Sequence, residues 1–124
     1  MKSEANKVFG GYIHIKWESC AAYRRDSDGF IFSVSNKSKL TPTNPDKAIY
    51  FLSDGTLGFG GDSIECHCDP LNKQGQGRCH TNGQGSFNHY NVGTDSEGNN
   101  ILTGTGKGQK DEAKRFTCTA IETY

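Results

Sequence analysis

No stretch of a dozen residues in this sequence places apolar side chains at i, i+3, i+4 and i+7, the rhythm by which a helix buries one face. The apolar residues come instead in short aromatic and β-branched runs broken by glycine, Asp and Asn, and 16 glycines against 3 prolines supply the turns. Such punctuation dictates strands. Phe9 to Trp17 reads as a strand entered through Gly10 and Gly11, and Phe30 to Val34 as another with Phe30, Phe32 and Val34 on one face. The polar run Arg24 to Gly29 between them is a turn, and Asn36 to Lys47, with Pro42 and Pro45, is a loop. Ala48 to Leu52 and Leu57 to Phe59 flank Asp54-Gly55, a hairpin signal. Asp62 to Cys68 reads as a strand, Asp69 to Gly85 as a long Gly/Gln/Asn loop, and Asn100 to Gly104 as a short strand or turn. At the end, Arg115 to Tyr124 alternates, with Phe116, Cys118 and Ala120 on one side. The expected fold class is all-β with minor α, a two-sheet antiparallel β-sandwich.

At 124 residues the chain is expected to form a single domain over 1–124, because a second unit would be too short to bury its own core. Apolar residues make up 32%, below the ~45–50% usual for globular chains, so the core is small. Disorder is excluded by 7 Phe, 5 Tyr and Trp17 in a chain whose 14 basic and 14 acidic side chains cancel. That cancellation also argues against nucleic acid and anionic membrane, which are held by clustered Lys and Arg. No run approaches the ~20 apolar residues of a spanning helix, and the first residues lack the apolar stretch of a signal peptide. A cytoplasmic protein with no membrane insertion is expected, its five cysteines reduced.

Cys66, Cys68, Cys79 and His80 offer zinc-type ligands, with His67 between the first two. Their spacing is unlike a zinc knuckle, which separates paired ligands by about two to four residues, so free thiols are the favoured reading and no cofactor is expected. A disulfide between Cys68 and Cys79 is the alternative for an exported chain. Thr103 to Gly108 resembles a phosphate loop only superficially, because Ile101 and Gly108 stand where a glycine and a Ser or Thr are required. Four histidines and five cysteines allow a nucleophile and base on paper, but no spacing selects a pair, and no catalytic residue is assigned. The expectation is a non-enzyme.

In order along the chain come Phe9-Gly10-Gly11-Tyr12 with Trp17, Tyr23 and an Asp before Phe30-Ile-Phe-Ser-Val, and Lys47-Ala-Ile-Tyr. Phe59-Gly60-Gly61-Asp62-Ser-Ile, Leu102-Thr103-Gly104 and Phe116 to Tyr124 follow. This string resembles the TLDc domain of the oxidation-resistance proteins. The resemblance implies a two-sheet sandwich without an established catalytic centre, a role in resistance to oxidative damage, and binding of the vacuolar-type proton pump. It implies fold-keeping roles for Gly10, Gly11, Trp17, Phe30, Phe32, Asp62 and Gly104, with Trp17 and the Phe30/Phe32 face filling the core. It also implies that the chain corresponds to the later part of the family's domain and lacks its N-terminal portion. The leading expectation is a protein-interaction module that binds a large assembly. A metal- or redox-responsive protein working through the cysteine and histidine loop is the alternative, and a sandwich that holds a sugar or small molecule at its loop ends is the second.

Overall fold

The computed structural model describes residues 1–18, 20–51, 57–61, 63–66, 78–82, 89–107, 113–120 and 122. Their strands, in chain order, are β1 (Lys2–Ser3), β2 (Phe9–Tyr12), β3 (Ala22–Arg24), β4 (Phe30–Ser33) and β5 (Ser38–Leu40), then β6 (Ile49–Phe51), β7 (Leu57–Phe59), β8 (Ile64–Cys66), β9 (Arg78–Asn82) and β10 (Ala113–Ala120). All pair antiparallel, in a seven-stranded sheet of order β1-β10-β9-β8-β7-β6-β3 and a three-stranded sheet of order β2-β4-β5. Among the described residues the helical content is one 3₁₀ turn, Pro45–Lys47, where Pro45 fits the first turn and Asn44 Oδ1 accepts the Asp46 N–H at 3.2 Å. The all-β sandwich read from the sequence is the fold observed.

The two sheets meet through aromatic rings. Phe9 of β2 and Phe116 of β10 pack edge to face at 5.2 Å, and Gly11 lies so close to Phe59 of β7 that a Cβ there would stand 2.2 Å from a ring carbon. Around them Ile31, Ile49, Phe51 and Ile64 are buried. The segment 89–107, outside both sheets, adds Tyr90, Val92 and Leu102 to the same core. Asn100 holds that segment, its Oδ1 accepting the Leu102 N–H at 2.9 Å and the Thr103 N–H at 3.4 Å.

Several elements differ from the sequence reading. The first strand stops at Tyr12 rather than Trp17, because the His14 N–H is taken at 2.7 Å by Asp26 Oδ2 and so leaves the ladder. The region from Asn36 to Lys47 holds β5 and the 3₁₀ turn, and the region from Asp69 to Gly85 holds β9, both polar strands recruited by pairing rather than by apolar content. Arg24 belongs to β3 rather than to a turn. The Asp54-Gly55 signal lies outside the described residues, while β6 and β7 on either side pair with Phe51 opposite Leu57. Phe116 and Cys118 face the core as expected, but Ala120 is exposed.

The largest correction concerns β4. Ile31 and Ser33 face the core, and Phe30, Phe32 and Val34 face outward. Both faces of Phe30-Ile31-Phe32 are apolar, so alternation alone could not choose between them. The choice is made by register, which sets Ser33 opposite Phe9 and Ile31 opposite Gly11. Trp17 likewise does not fill the core: it is 51% exposed, with its ring 6.0 Å from buried Phe51.

Candidate functional site

The inversion of β4 creates a feature of the surface. Residues directly opposite in an antiparallel pair share a face, so Gly10 with Phe32, Tyr12 with Phe30, and Lys39 with Phe32 all lie on the outer side of the small sheet. Val8 and Val34 continue that side at one end, joined by the Val34 N–H donating to the Val8 carbonyl at 2.9 Å. Tyr12 stacks on Phe30 at 5.2 Å and 25°, and Phe30 lies 6.2 Å from Phe32. Gly10 gives Phe32 room to lie across the sheet, since a Cβ on Gly10 would come within 2.9 Å of that ring. Val8, Tyr12 and Val34 are 38%, 46% and 59% exposed, and the two phenylalanines are half-buried. Lys39 Nζ sits 3.9 Å from the centre of the Phe30 ring, a cation over an aromatic face. A continuous apolar face of this kind marks an interaction site more often than a scattered exposed side chain does.

A second cluster surrounds Tyr23. Its ring packs against Tyr50 at 4.8 Å and His89 at 6.2 Å, with Lys47 Nζ 5.6 Å from its centre. Burial, then the Lys47 charge, hold the His89 imidazole below its ordinary 6.5. Burial first and the Asp26 carboxylate second push the neighbouring Tyr90 phenol upward. Gly60 and Gly61 close the β7–β8 turn with φ of +60° and +68°, and a Cβ on Gly61 would stand 2.6 Å from the Tyr23 oxygen. Asp26 is buried, and it serves the backbone: besides His14, the N–H groups of Asp28 (3.1 Å) and Gly29 (2.8 Å) donate to it.

The family model of the TLDc domain matches residues 1–124. The chain belongs to the TLDc domain family. No curated protein and no solved structure matches it. The motif residues of this TLDc chain divide in the structure. Gly11 serves sheet packing and Gly10 makes room for Phe32. Gly104, in the turn after Leu102, lies against the Lys7 stem. Trp17, Phe30 and Phe32 belong to the surface or half-buried layer. Asp62 lies outside the described residues.

The metal-ligand candidates of the TLDc chain are only partly placed. Cys66 of β8 and Cys79 of β9 are direct cross-strand partners, and His80 is paired with Glu65. Cys68 and His67 lie outside the described residues. Of the other cysteines, the Cys118 thiol is buried and donates to the Ala120 carbonyl at 3.2 Å, and Cys20 lies 3.9 Å from a Glu18 oxygen that also pairs with Arg24. Among the described residues no group of three His, Cys, Asp or Glu is placed to hold a metal ion. No described helix is long and apolar enough to cross a membrane. Sequence reasoning missed Tyr12, Val8 and Lys39 as a surface. The signal was available in the apolar content of both faces of Phe30 to Val34.

Proposed function

We propose that this TLDc chain is a non-enzymatic, cytoplasmic protein-interaction module that docks a large assembly through the outer face of its small sheet. The vacuolar-type proton pump is the candidate assembly, and oxidative-stress resistance is the role that docking serves. The observation that carries the reading is the exposed face of Val8, Tyr12, Phe30, Phe32 and Val34, which the fold leaves apolar although it contributes little to the core. The use of buried Asp26 to fix three backbone N–H groups fits a scaffold for binding. Affinity purification of the wild-type chain and of Val34→Arg from the source cell tests the reading. Recovery of pump subunits with the wild type and their loss with the variant is the expected result. Equal recovery with both would remove the face from the mechanism, and no pump subunit with either would remove the pump.

A further inference from the structure

The geometry points to an amphipathic helix with an acidic flank as the occupant of the outer face of the small sheet. This rests on the reading above, that the face binds protein, and names the chemistry it selects. The face is three strands wide around Phe30, with Met1 and Lys2 pairing beyond β2 only at the Val8–Phe9 end, and at about 4.8 Å between strands β2 and β5 are roughly 10 Å apart, close to the ~10–12 Å diameter of a helix. A sheet face with apolar side chains is covered in folded proteins by a second layer, and the inner face already has one in the seven-stranded sheet. β4 is hydrogen-bonded on both sides, by β2 and β5, so what the centre of this face offers is side chains rather than free ladder groups.

Charge selects the partner further. Lys39 lies on the face, drawn over Phe30, Lys2 shares the face at the β2 edge as the partner of Val8, and Lys37 stands at the β4–β5 connection, where its N–H donates to the Val34 carbonyl. The carboxylate nearest in sequence, Asp28, lies in the turn that precedes Phe30, at the opposite end from Lys37. The β5 side is therefore cationic. A helix that sets Leu or Phe at i, i+3, i+4 and i+7 on Tyr12, Phe30 and Val34, with Glu along the β5 flank, covers the rings and pairs Lys37 and Lys39. A second copy of this chain fits poorly, because lysines stand on both flanks, Lys2 beside β2 and Lys37 and Lys39 along β5, and a two-fold axis would set one cationic flank over another as the rings are desolvated.

The test uses the full chain and two synthetic 18-residue helical peptides with the same Leu/Phe stripe, one flanked by Glu and one by Lys, followed by amide chemical shifts at low salt. The Glu peptide is expected to shift β2, β4 and β5 and to bind roughly tenfold more tightly than the Lys peptide. Lys39→Glu is expected to weaken the Glu peptide about fivefold and to strengthen the Lys peptide. Val34→Arg abolishes binding of the Glu peptide, and unchanged thermal midpoints show that both variants fold. Equal binding of the two peptides, shifts confined to other elements, or binding to phosphatidylserine vesicles without peptide binding would overturn the inference. If neither peptide binds while Val34→Arg still releases a natural partner, the acidic helix is wrong and the interaction face stands. If Val34→Arg changes nothing in either experiment, both fail.

Discussion

Gly11 has its Cα where two sheets touch, and the Phe59 ring occupies the space a side chain would need. Gly11→Ala is expected to destabilise the fold by about 2 kcal/mol through overpacking, which outweighs the ~0.4–1 kcal/mol that stiffening the unfolded chain returns. Chemical denaturation measures it. Asp26→Ala strips the buried acceptor from three N–H groups, that of Gly29 buried and those of His14 and Asp28 partly so, and is expected to cost about 3 kcal/mol, read by the same method. His89 supplies a pH signature. Its folded pKa lies below the unfolded value of 6.5, so on acidification the unfolded chain takes up this proton first. The part of the stability that depends on His89 is therefore fully present above 6.5 and declines as pH falls below it. The decline from pH 7 to 5 should be shallower in His89→Gln, and Lys47→Met should raise the His89 pKa measured by NMR.

Strand β4 shows how a local sequence can be correct about an element and silent about its orientation. Phe30-Ile31-Phe32 is apolar on both faces, and pairing with β2, not hydrophobicity, turned Ile31 inward. Ile31→Ala is expected to cost about 3 kcal/mol, as a buried large-to-small change, whereas Val34→Ala should stay within about 0.5 kcal/mol. Urea unfolding of the two variants decides whether the inversion holds, and similar losses at both sites would contradict it. Strands β5 and β9 were illegible for a different reason. Ser38-Lys39-Leu40 and Arg78 to Asn82 carry mostly polar side chains, and each is a strand because a neighbour offers an unpaired ladder.

At the scale of the molecule, the first residues close onto the last strand. Lys2 pairs with Ala120 and Ser3 with Cys118, and the Ser3 hydroxyl donates to the Thr103 carbonyl at 2.6 Å from a buried position. Ser3→Ala is expected to lower stability by about 1 kcal/mol, because it removes a buried donor but leaves a backbone acceptor unpaired. Equilibrium unfolding checks the loss. Contacts that span the whole chain are formed late in a search dominated by loop closure, so the unfolding rate should carry most of that loss and the folding rate little of it.

The sequence by itself determined the class of structure and the family. Short apolar runs cut by glycine make strands rather than helices the main building material, and the ordered motifs from Phe9 to Phe116 identify a TLDc chain. It also singled out Gly11 and Gly104 for fold-keeping roles, and the structure supplies their reasons in the close approach of Phe59 to Gly11 and the φ of +68° at Gly104. Only the tertiary structure decided which aromatics are core and which are surface. Side-chain alternation fixes faces relative to one another along a strand, but the absolute choice belongs to register and to what the opposing sheet brings. Here Phe59 and Phe116 filled the interior over Gly11 and Phe9, and so left Tyr12, Phe30 and Phe32 to form the outer face.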